Sequence, residues 1–434
     1  MRTIHFDVTR LFVRGSRFSP TGIDRVVLAY AAWLLNRSDV RLEPVLTMGG
    51  RLWSLRPRVL AELVGGAQLF ASQAQVQEDP AFDRLLVALG APPDVDPPVR
   101  ARPVTYQIPA RARWYADVAR RSLLHLRPAA PERDSLYLNV SHTGLGDPHV
   151  LSRIRAAGAE PIVMVHDLIP IHHPEYCSPQ AETRHLRRMR QIVDHAAHVI
   201  SNSATTGQEF EAYARACGDR VPPVTVIPLG LQPEFLSRPS PVHVERPYFV
   251  CVGTIEARKN LAFLLALWRR LEEHLHERTP RLVLVGRRGW ENEAVIDHLE
   301  RSKTVLRLVL EVCDLRDRDL ARLVAGAAAL LSPTFAEGFD LPVLEALALR
   351  TPVIASRIPV HGELAASATL VDPVDGPAWL RAIEHAALCC GRGPATNSPT
   401  WPAHFKALED VLSLATAAWP IPSTTLLPAE SQHT

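Results

Sequence analysis

Two carboxylates eight positions apart, Glu337 and Glu345, bracket the stretch Glu337-Gly338-Phe339-Asp340-Leu341-Pro342-Val343-Leu344-Glu345, which follows the apolar run Ala328 to Leu331. The run reads as a buried strand, the glycine permits a tight loop, Asp340 suits a helix N-cap, and Pro342 is tolerated in a first helical turn. The backbone amides of Gly338, Phe339, Asp340 and Leu341 would then lie free at a helix N-terminus, a ready place for a phosphate or another anion. Glu345 falls about one turn into that helix, so both carboxylates flank one pocket. An ionised carboxylate offers about four acceptor positions and suits sugar or ribose hydroxyls. Taken alone, two glutamates are more often a solvated loop and a solvated helix face.

A cationic pair follows a second apolar run. Val252-Gly253-Thr254 ends it, and Arg258-Lys259-Asn260 precedes the apolar helix Leu261 to Leu271. Arg by bidentate contact and Lys as a point charge can neutralise a diphosphate. Cations at a helix start oppose its dipole unless an anion is present, so an Arg-Lys pair there needs a counter-charge. Lys occurs only at 259, 303 and 406, and one of the three stands in this segment.

Three further segments sit beside strands. His166 and Asp167 end the run Ile162 to Val165, on the edge of a parallel sheet where ligands bind. A lone His there is more often structural, and Asp167 reads as a turn former. Near the start, Ser19-Pro20-Thr21-Gly22-Ile23-Asp24-Arg25 follows a first strand, with Thr21 and Asp24 at capping-box spacing. Gly22 would let the helix start approach a ligand, although a plain strand-to-helix turn explains the same residues. This is not the G-x-G-x-x-G fingerprint, which disfavours a dinucleotide-dependent dehydrogenase. Arg287, Arg288 and Trp290 follow the run Leu282 to Val285 and either border a base or lie on the surface. Asp314, Asp317 and Asp319 precede a helix and read as capping residues, not as a metal site.

The elements that must position these groups form an α/β pattern of short apolar runs alternating with helical periodicity, the mark of parallel sheets covered on both faces. Candidate strands are Ile4 to Val8, Ile162 to Val165, Val199 to Ser201 and Val224 to Ile227, then Tyr248 to Val252, Leu282 to Val285, Ala328 to Leu331, Val353 to Ala355 and Thr369 to Val371. Leu236 to Val242 is proline-broken and reads as an interdomain linker. A chain of 434 residues suits two or three domains. Its 47% hydrophobic and 22% charged content is that of an ordinary globular protein, and a net charge of +2 implies no affinity for nucleic acid. Six cysteines without a C-x-x-C pair indicate neither zinc nor a disulfide framework and fit a reducing cytoplasm. No apolar run approaches the roughly 18 residues that span a bilayer, so any membrane contact would be peripheral. Residues 88 to 135 are rich in Pro and Arg. The part holding Arg111, Arg113, Trp114, Tyr115, Arg120 and Arg121 reads as a basic helix, more readily a solvated face than a membrane contact.

The order and content of three of these segments resemble one family. Glu337 to Glu345 with Ala346 to Ser356, Val252 to Leu261, and Val163-Met164-Val165-His166-Asp167-Leu168-Ile169-Pro170 look like the E-x7-E, phosphate-binding and His-Asp segments of retaining GT-B glycosyltransferases of family GT4. The resemblance implies two Rossmann-like domains facing a central cleft: 1–236 on the acceptor side with an insertion at about 88–135, and 247–400 binding a nucleotide sugar. A helix at 401–418 would cross back to the first domain, and 419–434 would be a disordered tail. It implies Glu337 and His166 as catalytic contacts to the donor sugar and Glu345 as the ribose ligand. Arg258 and Lys259 would hold the diphosphate, and Gly253, Gly22 and the backbone of Gly338 to Leu341 would line the donor site. No metal and no cofactor beyond the nucleotide-sugar co-substrate are implied. The activity expected is transfer, with retention, of a hexosyl group from GDP-mannose or another nucleotide sugar to a saccharide or lipid-linked saccharide in polysaccharide assembly. The setting expected is cytoplasmic, at most peripheral to the inner face of the membrane. Non-catalytic nucleotide-sugar binding and a GT-B phosphorylase or epimerase are the alternatives.

Overall fold

Short runs rich in Val, Ile and Leu form two separate sheets, each buried by helices on both faces, because such strands have no polar side to give to water. The computed structural model describes residues 2–14, 22–76, 80–90, 108–123, 125–218, 220–290, 292–389 and 391–414. The first sheet holds β1 (Arg2–Asp7), β2 (Val40–Met48), β3 (Arg51–Ser54), β4 (Arg127–Pro128), β5 (Leu136–Asn139), β6 (Glu160–Val165), β7 (His198–Ser201) and β8 (Val224–Val226), in the order β4-β3-β2-β1-β5-β6-β7-β8. The second holds β9 (Tyr248–Val252), β10 (Arg281–Val285), β11 (Val309–Val312), β12 (Ala329–Ser332), β13 (Val353–Ser356) and β14 (Thr369–Val371), in the order β11-β10-β9-β12-β13-β14. All neighbours are parallel except β3, which runs antiparallel to β2 and β4.

Each sheet reverses its winding once. The first is wound outward from β1 through β2 and then resumes on the other side at β5; the second does the same from β9 and resumes at β12. Chains leaving two adjacent strands in opposite directions open a crevice at their carboxyl ends, where ligands of such sheets bind. The phosphate-type segment follows β9, and the Glu337 loop follows β12, so the two motifs flank the second crevice.

The expected strands all form, with ends displaced by up to two residues. Five strands were not anticipated: β2 and β5 inside the first sheet, the antiparallel β3 and β4 at its edge, and β11 at the edge of the second sheet. In β2, Arg41, Glu43 and Pro44 break the apolar run, and β11 continues directly from a helix, Lys303–Leu308, without a turn signal. The β2–β3 turn is Gly49-Gly50, both with left-handed φ (57° and 69°).

The helix Trp401–Leu414 packs on the first domain. Its Phe405 ring stacks on Trp33 at 4.8 Å, and His404 bridges the Tyr30 hydroxyl and the Pro228 carbonyl, each at 2.8 Å. One apolar core runs from β1 through Leu231 and Phe235 to β9, so the domains are joined by packing as well as by the linker. In the helix Ile108–Leu123, Tyr115 is buried with Val118 against Leu63, and Trp114 packs over Gly66. The aromatic side chains expected to face a membrane or solvent therefore face the domain. The Arg111 side chain, Ser19 to Thr21, Pro92-Pro93, Pro97-Pro98 and residues 415–434 lie outside the described residues. No described helix is long and apolar enough to cross a membrane.

Candidate active site

Glu337 is the centre of the second crevice. Lys259 Nζ lies 2.6 Å from its Oε1, Arg258 forms an ion pair with the same oxygen, and Thr334 Oγ1 donates to it at 3.3 Å. Arg258 also pairs with Glu256 at 2.5 Å and donates to the Ala336 carbonyl at 3.0 Å. Burial opposes the positive charges, yet the carboxylates outweigh it, and both Lys259 and Arg258 hold their protons above the usual range. The expected cations are thus in place beside the Glu337 loop, but their counter-charge here is Glu337 itself, a pairing not anticipated from the sequence. Gly253, at φ 147°, runs so close beneath Lys259 that a Cβ would stand 3.0 Å from its Cε. That backbone is open to glycine and strained for other residues.

Asp340 departs from its expected capping role. It stands at the N-cap of the helix Leu341–Ala348 in the left-handed region (φ 57°, ψ 65°), and its side chain makes no cap hydrogen bond. Instead Oδ2 accepts from Ser332 Oγ at 2.6 Å and meets His361 Nε2 at 2.9 Å, while Lys259 Nζ lies 4.0 Å from Oδ1. Burial would raise this carboxyl, but Lys259, His361 and Ser332 hold it well below the ordinary range, and Asp340 in turn raises the buried His361. Pro342 sits in the first turn as expected. The amides of Gly338 to Leu341 donate to no carbonyl among the described residues, which leaves them available to a ligand.

Glu345 is 4% exposed and meets Arg25 Nη1 at 3.0 Å; Arg25 also pairs with Asp317. Arg25 lies on the helix Gly22–Leu35 of the first domain, so this bridge crosses the cleft. Two carboxylates strengthen the Arg25 charge, but each receives only part of one guanidinium. Burial prevails at Glu345, whose carboxyl is pushed up to about 7. Asp317 is therefore no capping residue, and Arg25 is a site residue that sequence reasoning passed over while quoting its loop. Arg287 pairs with Asp314, and Arg288 with Glu300 and Glu311.

The first domain closes on this loop. Gly338 lies so near the His166 carbonyl that a Cβ would stand 2.0 Å from it. Ser203 Oγ donates to the Gly338 carbonyl at 2.9 Å. Glu363 accepts from the amides of Ala204 and Thr205 at 2.7 and 2.8 Å, capping the helix Ala204–Cys217 from the other domain. Tyr176 stacks on Phe335 at 5.2 Å. Gly22 faces Leu341, and the space between them and Glu345 is about 220 Å³ even counted out to solvent. Larger depressions, of about 1000 and 1210 Å³ on the same count, lie beside Arg58 and Arg121 and beside Leu86 and Arg246, away from the motifs. His166 is buried, and its Nε2 is engaged with the Val140 carbonyl at 2.8 Å. Asp167 forms the expected turn, accepting from the Ile169 amide at 3.1 Å.

Residues 246–387, which carry both crevice loops, match the family described as glycosyl transferases group 1. The chain has the GT-B fold, and the matched region is its second sheet and most of the helices around it. Serotype-specific mannosyltransferase WbdA of Escherichia coli is 26% identical over 305 residues, 66% of this chain and 34% of that protein. O-antigen chain mannosyltransferase B of the same species is 29% identical over 240 residues, covering 52% and 59%. The chain thus matches about a third of WbdA and less than two thirds of the other. Sucrose-phosphate synthase from Thermosynechococcus elongatus shares the fold, with a TM-score of 0.55 over 95% of this chain and 97% of that one at 18% identity. Both sheet-end loops of the matched region carry the acids and cations described above, and the first domain supplies Arg25 and His166 opposite them.

Proposed function

We propose that this protein transfers a hexosyl group, with mannose from GDP-mannose as the first candidate, from a nucleotide sugar to a saccharide or lipid-linked saccharide, with retention at the anomeric carbon and without a metal. The observation that carries this reading is the sharing of Lys259 and Arg258 by the Glu337 carboxylate at the winding reversal of the second sheet. A bound diphosphate takes over both cations, each already held protonated, and Glu337 is released to accept from a sugar hydroxyl. The same cations then stabilise the charge that grows on the departing nucleoside diphosphate. The free amides of Phe339 to Leu341 meet phosphate or sugar, and Glu345 turns to the ribose hydroxyls. Likeness to the two Escherichia coli mannosyltransferases supports mannose and a polysaccharide acceptor.

The test is release of nucleoside diphosphate from GDP-mannose, UDP-hexoses and ADP-hexoses by the full chain, with Glu337→Gln as the control. Glu337→Gln is expected to lower kcat by about a hundredfold or more, with some loss of melting temperature because Lys259 and Arg258 lose their shared counter-ion, so circular dichroism at the assay temperature checks that the variant is folded. Turnover equal to the unaltered protein would overturn the assignment of Glu337.

A further inference from the structure

The wall opposite Glu337 gathers cations of its own. Arg188, on the helix Ala181–His195, is half-buried, with its Nε shut off from solvent and without a hydrogen-bond acceptor. Arg184 stands one turn earlier on the same helix, and Arg10 approaches from the segment after β1. Burial, and then these two arginines, draw the Arg188 guanidinium below its ordinary pKa. Neither Arg184 nor Arg188 has a carboxylate partner among the described residues. The acids nearby are engaged: Asp24 pairs with Arg10 at 2.6 Å, and Asp167 holds the Ile169 amide.

Beside Arg188 lies a second unsatisfied group. His142, just after β5, is 6% exposed and has left-handed backbone (φ 58°). Its ring stands edge-on to those of His166 and His185, at 5.5 and 5.7 Å. Those two imidazoles are engaged with the Val140 and Asp167 carbonyls, at 2.8 and 3.1 Å, whereas His142 Nε2 has no partner. Burial and the neighbouring cations keep His142 neutral, so its ring nitrogen can meet a hydroxyl.

Three costs coincide here. A half-buried guanidinium lacks its counter-ion, two arginines stand at i and i+4 on one helix, and a non-glycine residue is held in a disfavoured backbone region. Arg10 follows β1 and His142 follows β5, the two strands at the winding reversal of the first sheet where ligands bind, and Arg188 reaches their neighbourhood from the helix Ala181–His195 beyond β6. We propose that Arg188 and Arg184 form an anion subsite on the first-domain wall that takes the phosphate of a phosphorylated acceptor, with His142 Nε2 meeting a hydroxyl of the same molecule. The inference rests on the glycosyl-transfer reading and gives its acceptor a charge class.

Calorimetry on the full chain, with mannose 6-phosphate and free mannose as probes, tests it. Each probe is titrated alone and with saturating nucleoside diphosphate, chosen from GDP, UDP and ADP by which one binds. Mannose 6-phosphate is expected to bind more tightly than mannose whether or not nucleotide is present. Arg188→Gln is expected to weaken it by about tenfold or more, with nucleotide affinity unchanged and Arg188→Lys recovering part of the loss. Arg184→Gln, at an exposed position, should produce a smaller loss in the same direction and guards against misfolding of the first variant. Equal binding of both sugars, or equal binding to Arg188→Gln, overturns the subsite. Displacement of mannose 6-phosphate by nucleotide overturns it too, because the anion would then be the donor's own diphosphate. If no nucleotide binds, the donor reading falls, while a loss on Arg188→Gln would still support an anion site here.

Discussion

Across the cleft, the two walls balance charge in opposite ways. On the C-terminal wall, Lys259 and Arg258 share Glu337, Asp340 has His361, and Arg258 has Glu256 as well. On the N-terminal wall, Arg184 and Arg188 have each other and no acid among the described residues. A wall that carries its own counter-ions can stay closed without ligand, and a ligand's phosphate enters by replacing an internal carboxylate. Where the counter-ions are missing, the balance has to arrive with the ligand. One residue belongs to both walls: Arg25 leaves the first domain to balance Glu345 and Asp317 in the second.

The largest effect expected from disturbing this arrangement is at Arg25. Arg25→Ala leaves Glu345 buried without its cation, and removal of one partner of a buried pair costs about 3 to 5 kcal/mol. Glu345 can escape by taking up a proton, since its carboxyl already lies at about 7. The loss should therefore be near its full size at pH 8 and clearly smaller at pH 5.5, measured by urea unfolding at both values. A loss independent of pH would mean that Arg25 acts through packing, and that the walls are not joined by charge.

How far these walls were legible in the sequence follows from chain distance. Glu337, Asp340 and Glu345 lie within nine residues, and Arg258 and Lys259 are adjacent, so the C-terminal site stands in two short segments, each after an apolar strand. The N-terminal wall is assembled from Arg10, His142, His166, His185 and Arg188, brought together only by the winding of the first sheet. Of these, only His166 sits in a motif. The partnerships were the least legible part. His361 lies 21 residues beyond Asp340 and meets it because β13 pairs with β12 and the helix Pro359–Leu364 returns over the loop. No local spacing announces such a contact. Likewise, Asp340 is as good an N-cap residue as any by type, and only the buried His361 and Ser332 beneath it explain why its side chain turns inward.

A second expected effect isolates Glu345. Its folded pKa of about 7 lies above the usual value of 4.5. The stability linked to its protonated form is present below about 4.5 and is lost as pH rises through about 7, on the order of 3 kcal/mol in all. Glu345→Gln removes the titrating group and should flatten the fall in stability across that window. An unchanged pH profile would show that Glu345 titrates normally and that Arg25, not burial, sets its charge.

The smallest effect is expected at Asp340→Gly, because two opposing terms nearly cancel. A non-glycine residue in the left-handed region carries about 1 to 2 kcal/mol of backbone strain, less for Asp than for most residues, and glycine relieves it. Against this stands the loss of a charge-assisted hydrogen bond to His361, worth about 1.5 to 3 kcal/mol. His361, unlike Arg25, can lose its proton when its partner goes, which limits the damage from leaving it buried. The net loss should be about 1 kcal/mol, read from the urea midpoint. Asp340→Gly with His361→Ala should lose clearly less than the sum of the two single losses if the imidazole is what Asp340 holds. Removing Asp340 also withdraws one of the two carboxylates near Lys259, so nucleoside diphosphate should bind this variant at least as tightly as the unaltered protein. Weaker binding would mean that the C-terminal wall depends on Asp340 to aim Lys259, and that its charges are arranged as a unit in which Glu337 alone is not sufficient.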